Sequence, residues 1–193
     1  MSEFNEQAGD RNSPVTPKYI PPPVRTIEEI KNLDIDDESL QQYKKILLGS
    51  ATTEPIEPDN KSNFIPKKIS VVANGQVVAQ LDVEKEKKNS PTVELPEGTK
   101  YHLEVEFYVQ RELVFGTKFR HLISRGPIKD KDEVMLGSFA PKKELQKWKS
   151  PENEAPKGML LRGQYNVKSQ LIDDDGAEHA TMEWILKIVK KDG

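Results

Sequence analysis

Apolar and polar residues alternate along most of the chain beyond Pro66, with the period of two that is typical of strands half-buried in a sheet. The clearest run covers residues 101–109, where Leu103 and Phe107 fall on one face and Glu104 falls on the other. Further strands are predicted at 68–73, 77–83, 92–95, 112–123, 133–138, 159–171 and 181–190. About eight strands with no helix-length pattern between them favour an all-β sandwich over a parallel α/β sheet.

The part of the chain up to Pro66 has a different character, because it contains eight of the 14 prolines. Three consecutive prolines at residues 21–23 favour extended geometry over a packed core. Residues 1–65 hold seven basic and twelve acidic residues, a net charge of −5, whereas residues 66–193 carry +2. We therefore expect a flexible acidic arm, helical at about 26–48, joined to the sandwich.

Two short helices are predicted within this arm. A capping box at residues 26–29 can begin the first, and Asp36 or Asp37 can cap the second. The apolar stripe of the second helix and the glycine that ends it are Leu40, Tyr43, Leu47 and Gly49. Isolated helices of this length are marginal in water, so the stripe is expected to bind a partner or to pack on the sandwich. Pro55 and Pro58 flank a spacer that favours the first alternative.

The composition excludes several classes of protein. The chain has no cysteine, which excludes a disulfide framework and a thiolate metal site. It has no apolar run of about 18 residues that could span a bilayer. Residues 1–20 are polar where a secretory signal needs an apolar stretch, so we expect a cytoplasmic protein without stable membrane insertion. The basic stripe that nucleic-acid binding requires is also missing.

Residues that could carry chemistry are few. The three histidines show no metal-ligand spacing, and they are His102, His121 and His179. Three consecutive aspartates at 173–175, followed by Gly176, are typical of a hairpin turn rather than a calcium loop. Nucleophile motifs and phosphate-binding loops are not found. We therefore expect a protein that is not an enzyme and needs no cofactor or metal.

One strand near the C-terminus presents a wide apolar face. The residues that share this face are Met182, Trp184, Leu186 and Ile188. A sandwich core commonly contains such a tryptophan. A sandwich that opens between its sheets would instead line an apolar ligand cavity with the same residues. The pattern alone favours an ordinary core, and a ligand cavity remains the alternative interpretation.

Two sets of motifs are more specific. The arm contains Asp36-Asp37-Glu38-Ser39-Leu40, Tyr43-Lys44 and Leu47-Leu48-Gly49. The C-terminal half contains Glu154-Ala155-Pro156-Lys157-Gly158-Met159-Leu160, Arg162-Gly163, Tyr165, Lys168-Ser169 and Asp173-Asp174-Asp175. Together they resemble the Rho GDP-dissociation inhibitor family, over roughly residues 19–191 and least closely at 50–93. The resemblance implies an immunoglobulin-like β-sandwich behind a flexible N-terminal arm with a short helix–turn–helix.

What the resemblance implies is an inhibitor that binds geranylgeranylated Rho-family GTPases, preferably GDP-bound and in a one-to-one complex. The arm would lie across the switch regions of the GTPase and slow nucleotide release. The sandwich would take up the geranylgeranyl chain and so extract the GTPase from membranes. The free protein is expected to be a monomer.

The resemblance also assigns residues to these two tasks. The prenyl-binding residues would be Val71, Val93, Tyr101, Leu113, Leu160, Val167 and Trp184. The GTPase-binding residues would be Tyr19, Asp37 and Tyr43 on the arm, and Asp130, Glu154 and Asp174 on the sandwich. The chain departs from the family at Val93, Met182 and Asn153, which bears on the shape of the pocket and on the acidic patch.

A second hypothesis is a general carrier for lipidated proteins or free lipids, with the arm serving as a lid. A lid needs only an apolar stripe, whereas a GTPase-binding arm depends on Asp37 and Tyr43 in particular. These two residues therefore distinguish the hypotheses.

Overall fold

The computed structural model describes residues 29, 32–33, 37–49, 51–52, 54–83 and 90–191. The described helices are α1 (Glu38–Leu48) and a 3-10 helix (Met159–Leu161). The first five strands are β1 (Phe64–Ala73), β2 (Gln76–Asp82), β3 (Thr92–Pro96), β4 (Lys100–Val109) and β5 (Val114–Arg125). The remaining strands are β6 (Ile128–Phe139), β7 (Lys142–Lys149), β8 (Asn153–Glu154), β9 (Gly163–Ile172) and β10 (Glu178–Val189).

The strands form two sheets. The first has the order β2-β1-β4-β7, with the short β8 also paired to β4. The second has the order β3-β10-β9-β5-β6. Neighbouring strands are antiparallel except β3 and β10, which run parallel. The predicted all-β sandwich is confirmed.

Strict alternation in β4 and β10 produces the core between the sheets. Their buried residues are Leu103, Val105, Phe107 and Val109 on β4, and Met182, Trp184, Leu186 and Ile188 on β10. Phe107 stacks on Phe64 with ring centroids 4.5 Å apart and meets Phe139 edge-on at 4.7 Å. This aromatic group closes the end of the sandwich at which β4 finishes.

The strand prediction is wrong at two places. No strand is predicted between residues 138 and 159, but Lys142–Lys149 forms the edge strand β7, which pairs with β4. Its positions are mostly exposed and charged, and Trp148 is the apolar residue that packs on the core, so the strand shows no apolar alternation. The predicted strand at 159–171 is wrong at its start, because Met159–Leu161 is a 3-10 helix and β9 begins at Gly163.

Strand β6 is also longer than the predicted 133–138. It pairs with β5 from Ile128 to Phe139, and its first six residues are exposed. Neither face of this stretch is buried, so its residues are mostly charged and do not alternate between apolar and polar. At the other end of the sandwich, the predicted hairpin between β9 and β10 is confirmed by their antiparallel pairing.

The second predicted arm helix is confirmed as α1. Asp37 is its N-cap, because its Oδ1 accepts a hydrogen bond from the amide of Leu40 at 3.0 Å. In the region of the first predicted helix, Glu29 and Asn32 are described and helical, and the rest of that helix lies outside the described residues. In the described part of the chain, no helix has the length and apolar character to span a membrane.

Candidate functional site

A cavity of about 300 Å³ opens between the two sheets at the end where β4 begins. Its apolar lining comes from both sheets and consists of Leu103, Ile123, Ile128, Pro156, Val167, Trp184 and Leu186. Its polar lining consists of Tyr101, His121, Arg125, Asp130, Asp132, Asn153, Glu154 and Tyr165. The cavity is therefore apolar within and bordered by polar groups, the usual character of a small-molecule site.

The strand register produces this lining. Ile123 on β5 lies opposite Val167 on β9, and Val167 lies opposite Trp184 on β10. Residues in register on neighbouring strands point to the same face, so these side chains form one row across the sheet. Tyr101 and Leu103 face this row from β4 in the other sheet.

A short hydrogen-bonded chain holds the wall of the cavity beside this row. The indole Nε1 of Trp184 donates to Ser169 Oγ at 2.9 Å, and Ser169 Oγ lies 2.8 Å from His121 Nδ1. Ser169 Oγ thus links Trp184 on β10 to His121 on β5 through hydrogen bonds on both sides. Burial lowers the pKa of His121 to about 4, consistent with a neutral ring.

Carboxylates stand at the border of the cavity. Asp132 lies directly across from His121 in the β5–β6 register, and Asp130 lies across from Ile123. Glu154 forms an ion pair with Lys157, and this hydrogen bond lowers the pKa of Glu154. Burial raises the pKa of Tyr101, and the charge of Asp132 adds to that shift. The entrance thus carries negative charge at neutral pH.

The 3-10 helix beside the cavity presents its apolar side chains to solvent. Leu160 is 83% exposed and Met159 is 75% exposed. The backbone of this turn is nevertheless firmly held, because Arg125 donates to the carbonyls of Leu160 and Arg162 at 2.9 and 2.8 Å. The hydroxyl of Tyr165 donates to Leu161 O at 2.6 Å. The turn therefore combines exposed apolar side chains with a backbone that is held in place.

A larger groove of about 730 Å³ lies against the other face of the same strands. Four lining residues are common to both spaces, namely Ile123, Asp130, Val167 and Trp184. The groove adds Leu122 and Ile185 as apolar residues, and its lysines are Lys129, Lys131 and Lys168. Its mixed lining is less suited to a hydrocarbon chain than that of the cavity between the sheets.

The proposed prenyl-binding residues do not all meet at the cavity. Tyr101, Val167 and Trp184 line it, and Leu160 lies on the exposed turn beside it. Val71 and Val93 are buried in the common core and are not among the lining residues. Leu113 packs elsewhere, against a small cluster of Leu48 and Ala140.

The proposed GTPase-binding residues divide in the same way. Asp130 and Glu154 border the cavity, whereas Asp174 lies in the β9–β10 turn and pairs with Lys118 at 3.1 Å. On α1, Asp37 is exposed at the N-cap and Tyr43 is 54% exposed. Tyr19 lies outside the described residues.

Sequence reasoning missed several residues of the site. Ser169 and His121 form the polar wall, and Arg125 anchors the turn through its two carbonyl contacts. His121 occupies an inward position of β5 between Phe119 and Ile123, and this alternation was a signal that it faces the interior. The partnership with Ser169 depends on the β5–β9 register, which the sequence does not reveal.

Taken together, a sandwich with an apolar cavity between its sheets and an exposed capped helix defines a binding protein. Comparison with known proteins identifies the family. The model of the RHO protein GDP dissociation inhibitor family matches residues 3–191, so this chain belongs to that family. Its members are named as inhibitors of GDP dissociation, and the chain is accordingly a regulator and not an enzyme.

Named relatives agree over nearly their whole length. The probable Rho GDP-dissociation inhibitor of Caenorhabditis elegans is 37% identical, covering 97% of this chain and 98% of the relative. Rho GDP-dissociation inhibitor 1 of Rattus norvegicus is 40% identical, covering 90% and 86% respectively. The Rho GDP-dissociation inhibitor of Saccharomyces cerevisiae is 35% identical, covering 99% and 96%.

Proposed function

We propose that this chain binds GDP-bound, geranylgeranylated Rho-family GTPases one to one, slows their GDP release and extracts them from membranes. The observation that carries the proposal is the cavity of about 300 Å³ between the sheets. Its volume lies at the lower end of the range of roughly 300–1,000 Å³ that ligand pockets occupy. The free protein acts as a monomer in the cytoplasm.

The cavity offsets the free-energy cost of removing the lipid chain from the bilayer. Transfer of an alkyl chain out of water is worth about 0.8 kcal/mol per CH₂, so a chain of roughly twenty carbons gains on the order of 10 kcal/mol in an apolar site. The bilayer offers a similar gain, so a lipid site alone does not shift the equilibrium. Additional contacts with the GTPase itself must tip the exchange.

Two surfaces are suited to those contacts. Asp130 and Glu154 give the cavity entrance negative charge, which fits basic residues next to a lipidated C-terminus. Helix α1 presents Asp37 and Tyr43 to solvent, which fits a polar contact with the switch regions. The acidic entrance guides the lipidated C-terminus of the GTPase, and α1 restrains the nucleotide-binding part of the GTPase.

The carrier hypothesis assigns the arm a different task. Leu40 and Tyr43 are 41% and 54% exposed, so this part of the apolar stripe does not cover the sandwich among the described residues. A lid would be expected to bury these residues over the cavity. The open stripe favours the GTPase-binding arm.

Asp37 provides a test that separates its two possible roles. Asp37→Asn keeps an oxygen that caps α1 but removes the charge, whereas Asp37→Ala removes both. Because a charge-assisted hydrogen bond is worth about 1.5–3 kcal/mol, both variants should weaken inhibition of GDP release by roughly tenfold to a hundredfold. Release of a fluorescent GDP analogue from a geranylgeranylated GTPase measures this.

Uptake of a geranylgeranylated peptide is the matched control, since Asp37 is not among the residues that line the cavity. Affinity for that peptide should stay unchanged in both variants. Normal inhibition of GDP release by Asp37→Asn would contradict a charged contact and would support the carrier hypothesis. A wild-type protein that binds neither the peptide nor the GTPase would contradict the proposal as a whole.

A further inference from the structure

The segment between α1 and β1 is held against the sandwich without secondary structure of its own. We call residues 54–63 the strap. Six of its ten residues are half-buried, and the segment contains two prolines. It has no strand pairing of its own, and it is held to the sandwich by one backbone hydrogen bond, from the amide of Gln110 to the carbonyl of Asn63 at 2.9 Å, and by side chains of the sandwich.

Gln110, the residue that follows β4, is the first of these side chains. It is fully buried, with 0% exposure. Its Oε1 accepts from the amides of Ile56 and Glu57 at 3.1 and 2.9 Å. Its Nε2 donates to the carbonyls of Asn60 and Ser62 at 2.9 and 2.8 Å. All four hydrogen-bonding positions of one side-chain amide are thereby used on the strap.

Arg111 is the second side chain of the sandwich that holds the strap. Its Nη1 donates to the carbonyl of Asn60 at 2.7 Å, and its Nη2 donates to the carbonyl of Pro58 at 2.9 Å. Arg111 has a φ of +64°, which non-glycine residues seldom adopt. Such a conformation persists only where the surrounding contacts enforce it. The backbone is thus turned so that two consecutive side chains reach the strap.

The strap is connected to α1 by further contacts. Leu48, at the end of α1, is 3% exposed and packs with Ala140. The amide of Thr52 donates to the carbonyl of Pro141 at 3.0 Å. Glu54 forms an ion pair with Lys143 at 2.5 Å. These contacts fix the end of α1 and the first residue of the strap to the β6–β7 connection and to the start of β7, so helix and strap are attached to the same part of the sandwich.

We propose that Gln110 and Arg111 are positioning residues for GTPase inhibition, which fix α1 where Asp37 and Tyr43 can contact the GTPase. This inference rests on the function proposed above. Helix α1 is accordingly not freely tethered to the sandwich but has a defined point of attachment.

The attachment and the cavity lie at opposite ends of one strand. Tyr101 lines the cavity, and Gln110 stands nine residues further along, at the other end of β4. At about 3.3 Å per residue, the two ends are about 30 Å apart. Loss of the attachment should therefore change inhibition of GDP release without changing lipid uptake, which a general loss of folding would not do.

Arg111→Gly is the decisive variant, because glycine adopts a positive φ readily while the guanidinium is removed. We expect its inhibition of GDP release to be weakened about tenfold, with affinity for a geranylgeranylated peptide unchanged within about twofold. Arg120→Ala is the matched control, since Arg120 pairs with Glu133 on the second sheet and should change neither value. Gln110→Met removes four hydrogen bonds to the strap, although the carbonyl of Asn60 keeps its bond to Arg111, and it should repeat the effect of Arg111→Gly.

The position of α1 relative to the sandwich can be measured directly with spin labels. The chain has no cysteine, so labels attach only to cysteines that are introduced. Spin labels on Gln42→Cys in α1 and Glu133→Cys in β6 should give a narrow distance distribution that broadens in the Arg111→Gly background. Arg111→Lys, which restores a cation, should recover part of the inhibition.

An unchanged distance distribution in Arg111→Gly, or undiminished inhibition by this variant, would overturn the inference and leave the proposed function intact. An equal loss of peptide affinity and inhibition would also overturn it. Failure of the unaltered protein to inhibit GDP release would instead refute the proposed function.

Discussion

The two ends of the sandwich are built from the same strands but packed in opposite ways. Where β4 finishes, Phe64, Phe107 and Phe139 meet at centroid distances of 4.5 to 6.2 Å. Where β4 begins, Tyr101 and Leu103 border a cavity of about 300 Å³. The close packing of the aromatic rings stabilises the pairing of the two sheets. This stabilisation allows the sheets to separate around a cavity at the other end.

Buried polar side chains show the same contrast. Gln110, at the closed end, uses all four of its hydrogen-bonding positions and cannot titrate. His121, at the open end, has a hydrogen bond only at Nδ1 within the described part of the chain. A saturated amide fixes structure, whereas an imidazole with a free nitrogen remains responsive to ligand and to pH.

The largest effect is expected from a truncation at the closed end. Phe107→Ala should lower the free energy of unfolding by about 3–5 kcal/mol, because the surrounding rings cannot collapse into the space. Leu103→Ala, at the open end, should cost about 2 kcal/mol, since Leu103 already borders a void. Urea denaturation measures both values. Equal losses would show that the two ends are packed alike.

The next effect concerns His121, whose pKa of about 4 in the folded state compares with 6.5 for an unperturbed histidine. Between these values the unfolded chain binds the proton more readily. The free energy of unfolding should therefore fall by about 3 kcal/mol as the pH decreases from 6.5 to 4, and should not depend on this group above pH 6.5.

His121→Gln isolates this contribution, because glutamine can still bond to Ser169 but carries no charge. The stability of this variant should vary less with pH in that window. Glu97 titrates lower, because its hydrogen bond to Arg162 lowers its pKa to about 2. A wild-type curve that is parallel to that of His121→Gln would show that His121 is not held neutral by burial.

A charge placed in the cavity tests its use for lipid. Ile123 is half-buried, so Ile123→Asp leaves the new carboxylate near water when the cavity is empty but desolvates it when a chain enters. Affinity for a geranylgeranylated peptide should drop about a hundredfold, or about 2.7 kcal/mol.

Leu113→Ala serves as the comparison variant, since Leu113 packs in the cluster of Leu48 and Ala140, away from the cavity. Its peptide affinity should remain that of the wild type. A large loss in Leu113→Ala together with normal binding in Ile123→Asp would place the lipid site elsewhere.

The sequence predicts the parts of this fold that have one buried face. The alternation in β4 and β10 located Leu103, Phe107 and Trp184 correctly, because a half-buried strand must repeat every two residues. In the edge strand β7 the apolar residue that packs on the core is Trp148, and the first half of β6 is exposed, so too few apolar residues alternate to mark either segment as a strand.

The candidate site follows from the sequence only in part. Trp184 and Val167 can be placed on inward faces, but their meeting with Ile123 depends on the pairing of three strands. In the sequence, Gln110 is an ordinary polar residue that follows a strand. Its contact with the strap joins residues that are far apart in the chain, so it is visible only in the folded structure. Residues that act through long-range contacts leave no local pattern.

The smallest effect is spectroscopic and tests whether the open end responds to a ligand. Trp184 lines the cavity, whereas Trp148 lies on β7 and meets Phe119 edge-on at 6.5 Å. In a Trp148→Phe background, emission should therefore shift when a geranylgeranylated peptide fills the cavity and stay constant with the unprenylated peptide. In the reverse background, Trp184→Phe, the emission of Trp148 should hardly change. A ligand response that follows Trp148 would move the lipid site toward the edge of the first sheet, and the distinction between an open and a closed end would fail.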